Sequence, residues 1–456
     1  MALGRRKKGH QELWVATTSL AQSPGHPFYE ALNRLLAEAK FDEQVESWCE
    51  PHYAGSGRPG LAPGVYFRML LVGYFEGLDS QRGIAWRCAD SLSLQEFLGV
   101  GPGGKAPDHS TLTLTRQRLP VEVFERVFAL VLGIAREKRL LSGRLLGVDA
   151  TMMEANAAMK AIVRRESGED WKAYVKRLAA AEGVEIKDDD DLRRFDRDRK
   201  DKGVSNKDWT SPSDPDAKIA KMKDGRTHLA YKAEHAVDLE SGLVLAATVH
   251  PATASDGETL GESVLKAHLN VLEAGSDATI RAVVADKGYH KAEALAEVAA
   301  MPFAPITYVS EPKRVQRRRW VDKPSTWKTA VCGNRRRWRG ARSKALHRLR
   351  SERVERTFAH TMETGRGRRS WIRGLVEVGK RHLMQVAALN LGTVLRRLIG
   401  VGTPRELAAR SAAFLALLWP ILRAACRVTR ILLEKSGYAA AAGRVGRSAA
   451  VASCAA

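Results

Sequence analysis

The sequence predicts an α/β protein in which a mixed sheet flanked by helices forms a catalytic domain, preceded by an all-α N-terminal domain and followed by a helical C-terminal segment. Three observations carry this prediction. Up to about Glu137 apolar residues recur at helical spacing, and no strand-like run interrupts them. From Leu145 onward short apolar runs (LLGVDAT, LVLAATV, IRAVVA) alternate with helical stretches. Beyond Leu375 the helical spacing returns. The expected domains are residues 1–137, residues 144–400 with a charged insertion over about 160–225, and a helical, Ala-rich tail over 401–456.

In the first domain Phe28, Leu32, Leu35 and Leu36 share one helical face, and Val65 to Phe75 is a denser apolar helix that is expected to be buried. Asp79-Ser80 can cap a helix running through Ile84, Ala85 and Trp86, and Asp108 or Ser110 can cap the next. These helices carry Arg82, Arg87, Arg116 and Arg118, which suit docking on DNA; the plainer reading is a helical bundle with solvated arginines. The GVGPGGKA segment spaces Gly99, Gly104 and Lys105 like a phosphate-cradling loop. Ala106 stands where a hydroxyl would hold magnesium, and no strand precedes the loop, so a turn is predicted and a nucleotide cofactor is excluded.

LLGVDAT is read as a buried strand ending at Asp149. In the charged insertion, helical spacing around Trp171, Tyr174 and Leu178 precedes the run Asp188 to Asp191, which is read as a solvated helix or loop. Thr227–Val237 and Leu243–Val249 are predicted antiparallel strands joined across Asp238, Glu240, Ser241 and Gly242. A helix over Thr259–Leu272 leads to the strand Ile280–Ala285, which ends at Asp286. A helix at Ala292–Val298 and a short strand at Pro305–Val309 follow. The stretch Lys313–Arg350 contains Arg317, Arg318, Arg319, Arg335, Arg336 and Arg337, interleaved with Trp320, Trp327 and Trp338. Its arginines are expected to track phosphates and most of its tryptophans to pack. A helix over Arg353–Glu363 would carry Glu355, and Leu375–Leu395 a long amphipathic helix.

Composition narrows the partners. The chain has 456 residues, with 74 Lys and Arg against 52 Asp and Glu, a net charge of +22 that attracts polyanions before any specific contact forms. Nucleic acid is the leading partner. Five scattered cysteines without a CxxC pair indicate neither a disulfide framework nor a zinc finger, and the lone pair Cys49 and His52 is given no role. The basic N-terminus lacks the apolar core of a secretory signal. The apolar stretch Ala412–Cys426 is too short for a bilayer and carries Pro420 and Arg423, so a cytoplasmic protein without membrane contact is expected.

Two aspartates at strand ends and a glutamate on a later helix are the residue types that two-metal phosphoryl transfer requires. Mg²⁺ or Mn²⁺ prefers carboxylate oxygens, and two ions roughly 4 Å apart serve the attacking and leaving oxygens. Taken singly each acid has another explanation: Asp149 as a strand-end cap, Asp286 as a helix N-cap, Glu355 as a partner for nearby arginines.

Several words of the sequence occur together in one family: GRPGLAPGVYFRMLLVGYFEGLDSQRGIAWRC and PDHSTLTLTRQRL in the first part, then GVDATMMEANAAM, DPDAKIAK, HLAYKAEHAVD, ADKGYH and ERTFAH. From about His26 to Arg397 the chain resembles the DDE transposases of bacterial insertion sequences, with an RNase H-like catalytic domain behind an InsH-type helical domain. The resemblance implies that Asp149 lies on the first strand, Asp286 at the end of the fourth and Glu355 on a following helix, together binding two divalent ions. Glu352 is the runner-up ligand, one turn away. Ser351 and Met362 stand where one branch of these enzymes has Arg and Lys. The resemblance further implies cleavage at the terminal inverted repeats, strand transfer into target DNA, a homodimer joining two ends, and a nucleoid-associated bacterial protein. The alternatives are an inactive remnant or a DNA-binding regulator without catalysis.

Overall fold

The computed structural model describes residues 23–57, 60–101, 103–200, 205–313 and 319–412. The basic N-terminal arm, Arg317 and Arg318, the apolar stretch from 413 to Cys426 and the Ala-rich tail therefore lie outside the described residues. Residues 1–400 form one compact unit and 401–456 a second. In the second, a helix covers 404–412, and Thr403 Oγ1 accepts the Glu406 N–H at 3.1 Å.

The N-terminal part is helical, as its spacing predicts: α1 (Pro27–Glu38), α2 (Phe41–Cys49), α3 (Pro63–Phe75), α4 (Gln81–Asp90), α5 (Leu92–Phe97), α6 (His109–Arg118) and α7 (Val121–Glu137). Phe28, Leu32, Leu35 and Leu36 are buried together, and most of α3 is buried on all sides. Ser80 caps α4 by accepting the Gly83 N–H, and Asp108 caps α6 by accepting the Ser110 N–H at 2.9 Å, each satisfying a helix-end donor. Asp79 does not share the cap; its Oδ2 accepts the Trp371 indole N–H at 3.1 Å.

Eight strands follow among the described residues: β1 (Leu145–Glu154), β2 (Val163–Arg164), β3 (Trp209–Thr210), β4 (Lys218–Lys221), β5 (Thr227–Asp238), β6 (Val244–Pro251), β7 (Ala282–Ala285) and β8 (Ile306–Val309). The main sheet runs β4-β5-β1-β7-β8, with β6 also paired to β5. Pairing of β5 with β1, β4 and β6 is antiparallel, whereas β1, β7 and β8 are parallel. This is the RNase H-like mixed sheet. The turn between β5 and β6 needs a left-handed residue, which Gly242 provides at φ 81°.

One expectation is corrected here. β1 does not end at Asp149 but continues to Glu154, because β5 offers a partner for every residue from Leu146 to Glu154. Only the parallel neighbour stops early: β7 pairs with Leu145, Leu146 and Gly147. Asp149 therefore sits mid-strand, just past the end of one flanking partner.

Between the strands lie α8 (Trp171–Ala181), α9 (Asp189–Asp198), α10 (Asp256–Glu273) and α11 (Ala292–Ala300). The aspartate run is a helix start, with Asp188 accepting the N–H groups of Asp190 and Asp191. The charged insertion is anchored by Ile162 and Trp209, which bury beside Met153, Leu229 and Tyr231. After β8 come α12 (Ser325–Trp338), α13 (Ala341–Ala359) and α14 (Leu375–Ile399), with a π-helical turn at His360–Thr364. The helix carrying Glu355 thus begins twelve residues before its expected start at Arg353. Its N-terminal half and α12 are so rich in arginine and lysine that no apolar stripe announces them. Buried over most of its length, α14 packs against α3, α7 and β6 and so joins the N-terminal helices to the sheet.

Candidate active site

Parallel pairing sets the centre of the site. Gly147 is opposite Val284, so two further steps along each strand bring Asp149 and Asp286 to neighbouring positions where β7 ends. Asp286 is partly exposed and caps the short 3₁₀ turn Lys287–Tyr289, its Oδ1 accepting the Gly288 N–H at 2.8 Å. Burial raises the Asp149 carboxyl above its ordinary pKa; the Arg350 guanidinium opposes this, and the negative charge of Asp286 adds to it. Two carboxylates this close are costly unless a cation stands between or beside them.

That cation comes from α13, which packs over β1, β5 and β7. Arg350 is 8% exposed, and its Nη1 lies 2.8 Å from Asp149 Oδ2 and 3.4 Å from the Val148 carbonyl oxygen. Val354 and Thr357 continue the buried face of this helix. At 3.6 residues per turn Glu355 stands roughly 140° around the helix from Arg350, and it is exposed. Glu355 makes no hydrogen bond or ion pair among the described residues, and Glu352 is exposed and bonded to Arg356 at 3.2 Å. No three His, Cys, Asp or Glu side chains among the described residues are gathered closely enough to hold a metal ion. In this structure Asp149 and Asp286 stand side by side, Arg350 pairs with Asp149, and Glu355 stands on the exposed flank of α13, outside that pair. As hard oxygen donors, the two aspartates suit a divalent cation.

A buried layer supports the carboxylates from the other face of the sheet. Lys232 Nζ lies 2.8 Å from Asp256 Oδ1 and 3.4 Å from Glu234 Oε2, with Lys232 1% and Glu234 0% exposed. Glu234 also accepts from Ser263, from Thr259 at 2.7 Å and from the Tyr289 hydroxyl at 2.8 Å. Tyr289 thereby ties the turn that begins at Asp286 to the middle of β5. On the Asp149 face, His235 bonds Thr357 at 2.9 Å, stacks on Phe358 at 4.1 Å and meets His382 Nε2 at 2.9 Å. Sequence reasoning missed Arg350, Lys232 and Glu234. The signal for the latter two was present: charged residues inside a strand whose pairing buries both faces must find partners.

The predicted basic contacts divide in two. Arg87 pairs with Glu76, Arg116 with Glu377 at 2.7 Å, and Arg335 with Glu311; Arg337 donates to the Thr307 carbonyl, and its burial lowers its pKa. These four are held by protein partners. Arg82, Arg118, Arg319 and Arg336 are exposed, Arg118 lying over the Tyr53 ring at 4.7 Å. Tyr289 packs as expected, and Lys287 is exposed beside Asp286. Cys49 is buried, and among the described residues no metal-binding group gathers around it.

Residues 18–118 match the family described as Transposase domain (DUF772), and residues 200–391 match the family described as Transposase DDE domain. The second match contains Asp286 and Glu355 and starts after Asp149, which the strand register brings to it. No curated protein and no solved structure matches the chain.

Proposed function

The chain belongs to the DDE transposases of insertion sequences, and from that premise we propose that it binds the ends of its element, cleaves a phosphodiester at each end and joins the freed 3′-hydroxyl to target DNA. The observation that carries this reading is the meeting of Asp149 and Asp286 where β7 ends beside β1. With Glu355 from α13 they would hold divalent ions, Mg²⁺ or Mn²⁺, which when bound supply positive charge to a phosphoryl oxygen and activate the attacking oxygen.

The remaining work falls to the chain's own groups. The buried Lys232–Glu234–Tyr289 layer holds the 286–289 turn in place, and Arg350 orients the half-buried Asp149 carboxyl. Arg82, Arg118, Arg319 and Arg336, with the net charge of +22, support phosphate contact. Action on two ends favours a homodimer, and the partner is double-stranded DNA with no nucleotide cofactor. No helix among the described residues is long and apolar enough to cross a membrane.

The test uses DNA carrying the inverted repeats that flank the coding region. Asp149→Asn and Asp286→Asn are expected to bind these ends as the unaltered protein does and to lose Mg²⁺-dependent cleavage by a factor of about 1,000 or more. Retained cleavage in either variant overturns the site. An unaltered protein that binds the ends and never cuts them leaves the DNA-binding regulator.

A further inference from the structure

A cavity with a volume of about 650 Å³ lies away from the carboxylates, between α3, α4, α6 and α7 on one side and the 371–385 segment on the other. Its composition is specific. Trp371 lines it while 46% exposed, and Arg369, which does not line it, covers the indole at 4.7 Å. Tyr66 also lines it, is 0% exposed, and its hydroxyl has no hydrogen-bond partner among the described residues. A buried hydroxyl without a partner costs free energy that a bound polar atom would recover.

Charged groups of both signs line the cavity: Arg116, Arg373 and Arg381 with Asp79 and Glu377. Arg116 and Lys380 are both spent on Glu377. Among the described residues Arg381 donates hydrogen bonds to the carbonyl oxygens of Arg366 and Arg369, at 3.4 and 3.3 Å; burial lowers its pKa to about 10, and the negative charge of Asp79 opposes this. Arg373 reaches only the Asn156 carbonyl, at 3.2 Å. Neither arginine forms a salt bridge among the described residues. The combination of a half-exposed aromatic ring, an unused hydroxyl in the wall and two arginines outside any salt bridge among the described residues matches a base, its sugar and its phosphate. The volume lies within the range of small-ligand sites, about 300–1,000 Å³.

We infer that this cavity receives one unstacked nucleotide of bound DNA, its base against Trp371 and its phosphate near Arg373 and Arg381. The inference rests on the DNA-binding reading above and adds a place where the substrate is held. Position agrees: β1 runs from Asp149 to Glu154, whose N–H donates to the Arg368 carbonyl at 2.9 Å. Five strand residues span roughly 17 Å, so a duplex laid along this line would present the nucleotide about five base steps from the carboxylates at about 3.4 Å per step.

The experiment compares the full chain binding two duplexes of the same sequence, one fully paired and one with a single extrahelical 2-aminopurine. The unaltered protein should bind the second about tenfold more tightly and quench its fluorescence by stacking. Trp371→Ala should bring the ratio of affinities close to one and abolish the quenching, Trp371→Phe should keep most of both, and Tyr66→Phe should lower the ratio severalfold. Equal binding of the two duplexes by the unaltered protein, or a preference and quenching that survive Trp371→Ala, overturns the nucleotide site while leaving DNA binding intact. Failure to bind either duplex removes the DNA reading itself. A Trp371→Phe variant as deficient as Trp371→Ala, with unchanged melting temperature, also overturns the stacking role.

Discussion

Arg350 Nη1 lies 2.8 Å from Asp149 Oδ2, a contact that joins α13 to β1 across 201 positions of the chain. Arg350→Ala leaves Asp149 facing Asp286 without a cation, and removing one partner of such a pair costs about 1–3 kcal/mol. The variant should melt at a lower temperature in the absence of divalent ions. Because the guanidinium competes for the same carboxylate, Mg²⁺ should raise the melting temperature of Arg350→Ala more than that of the unaltered protein. An equal or smaller rise would show that Arg350 and the ion do not share Asp149.

The layer behind the sheet should behave as one unit. Lys232→Met removes the cation beside Glu234 and Asp256 and is expected to cost about 3–5 kcal/mol, since it strands a fully buried carboxylate. Adding Glu234→Gln removes that stranded charge, so the double variant should be less destabilised than the sum of the two single ones. Urea unfolding of the three variants measures the coupling. Strict additivity would mean that the two groups act independently despite their 3.4 Å separation.

The buried histidines predict a pH dependence. Burial, and then Arg381, pulls His382 down to about 4; burial, and then His382, holds His235 well below its ordinary value. Both are thus neutral in the fold, whereas in the unfolded chain each titrates near about 6.5. Their contribution to stability is complete above that unfolded value and is lost as pH falls from there toward the folded values. Each histidine contributes a slope of up to about 1.4 kcal/mol per pH unit in this window. Urea midpoints should fall as pH is lowered from 7 to 5, and His382→Gln should flatten the decline. A His382→Gln slope equal to that of the unaltered protein would remove the pair as its cause.

Two glycines make opposite predictions. A Cβ on Gly147 would lie 2.5 Å from Leu239 Cδ2 and 3.2 Å from Arg350 Cγ, so Gly147→Ala must push both side chains. We expect a loss of about 1–3 kcal/mol. A Cβ on Gly379, inside α14, meets nothing within 4 Å, so Gly379→Ala should stabilise by about 0.5–1 kcal/mol through helix propensity alone. Calorimetric melting distinguishes the two, and a neutral Gly147→Ala would contradict the close packing of α13 on β1.

Much of the fold was legible because its elements are amphipathic or uniformly apolar. β5, β6, α10 and β8 fall within a few residues of their expected bounds, and the turn at Gly242 follows from its residue types. The first half of α13 was hidden because basic residues dominate it and only Ser343, Leu346 and Arg350 bury there. The site was partly legible for a related reason. An aspartate following an apolar run marks a strand end in the chain, and for Asp286 this holds. Asp149 obeys a different rule, since its strand continues through polar residues that only the pairing with β5 explains. The partnership of Arg350 with Asp149 depends on helix phase and on which residues cross the sheet, neither of which a linear pattern contains.

The position of α14 bears on how the protein comes into being. Arg116 on α6 finds its carboxylate partner Glu377 261 positions later, and α14 fills the space against α3 and α7. While the ribosome is still making the sheet, the N-terminal helices wait with that flank uncovered. A polypeptide interrupted before Leu375 would emerge with a greasy, half-finished bundle instead of a freestanding DNA-binding fragment. Completion of synthesis thus becomes a condition for the N-terminal helices to reach their final packing.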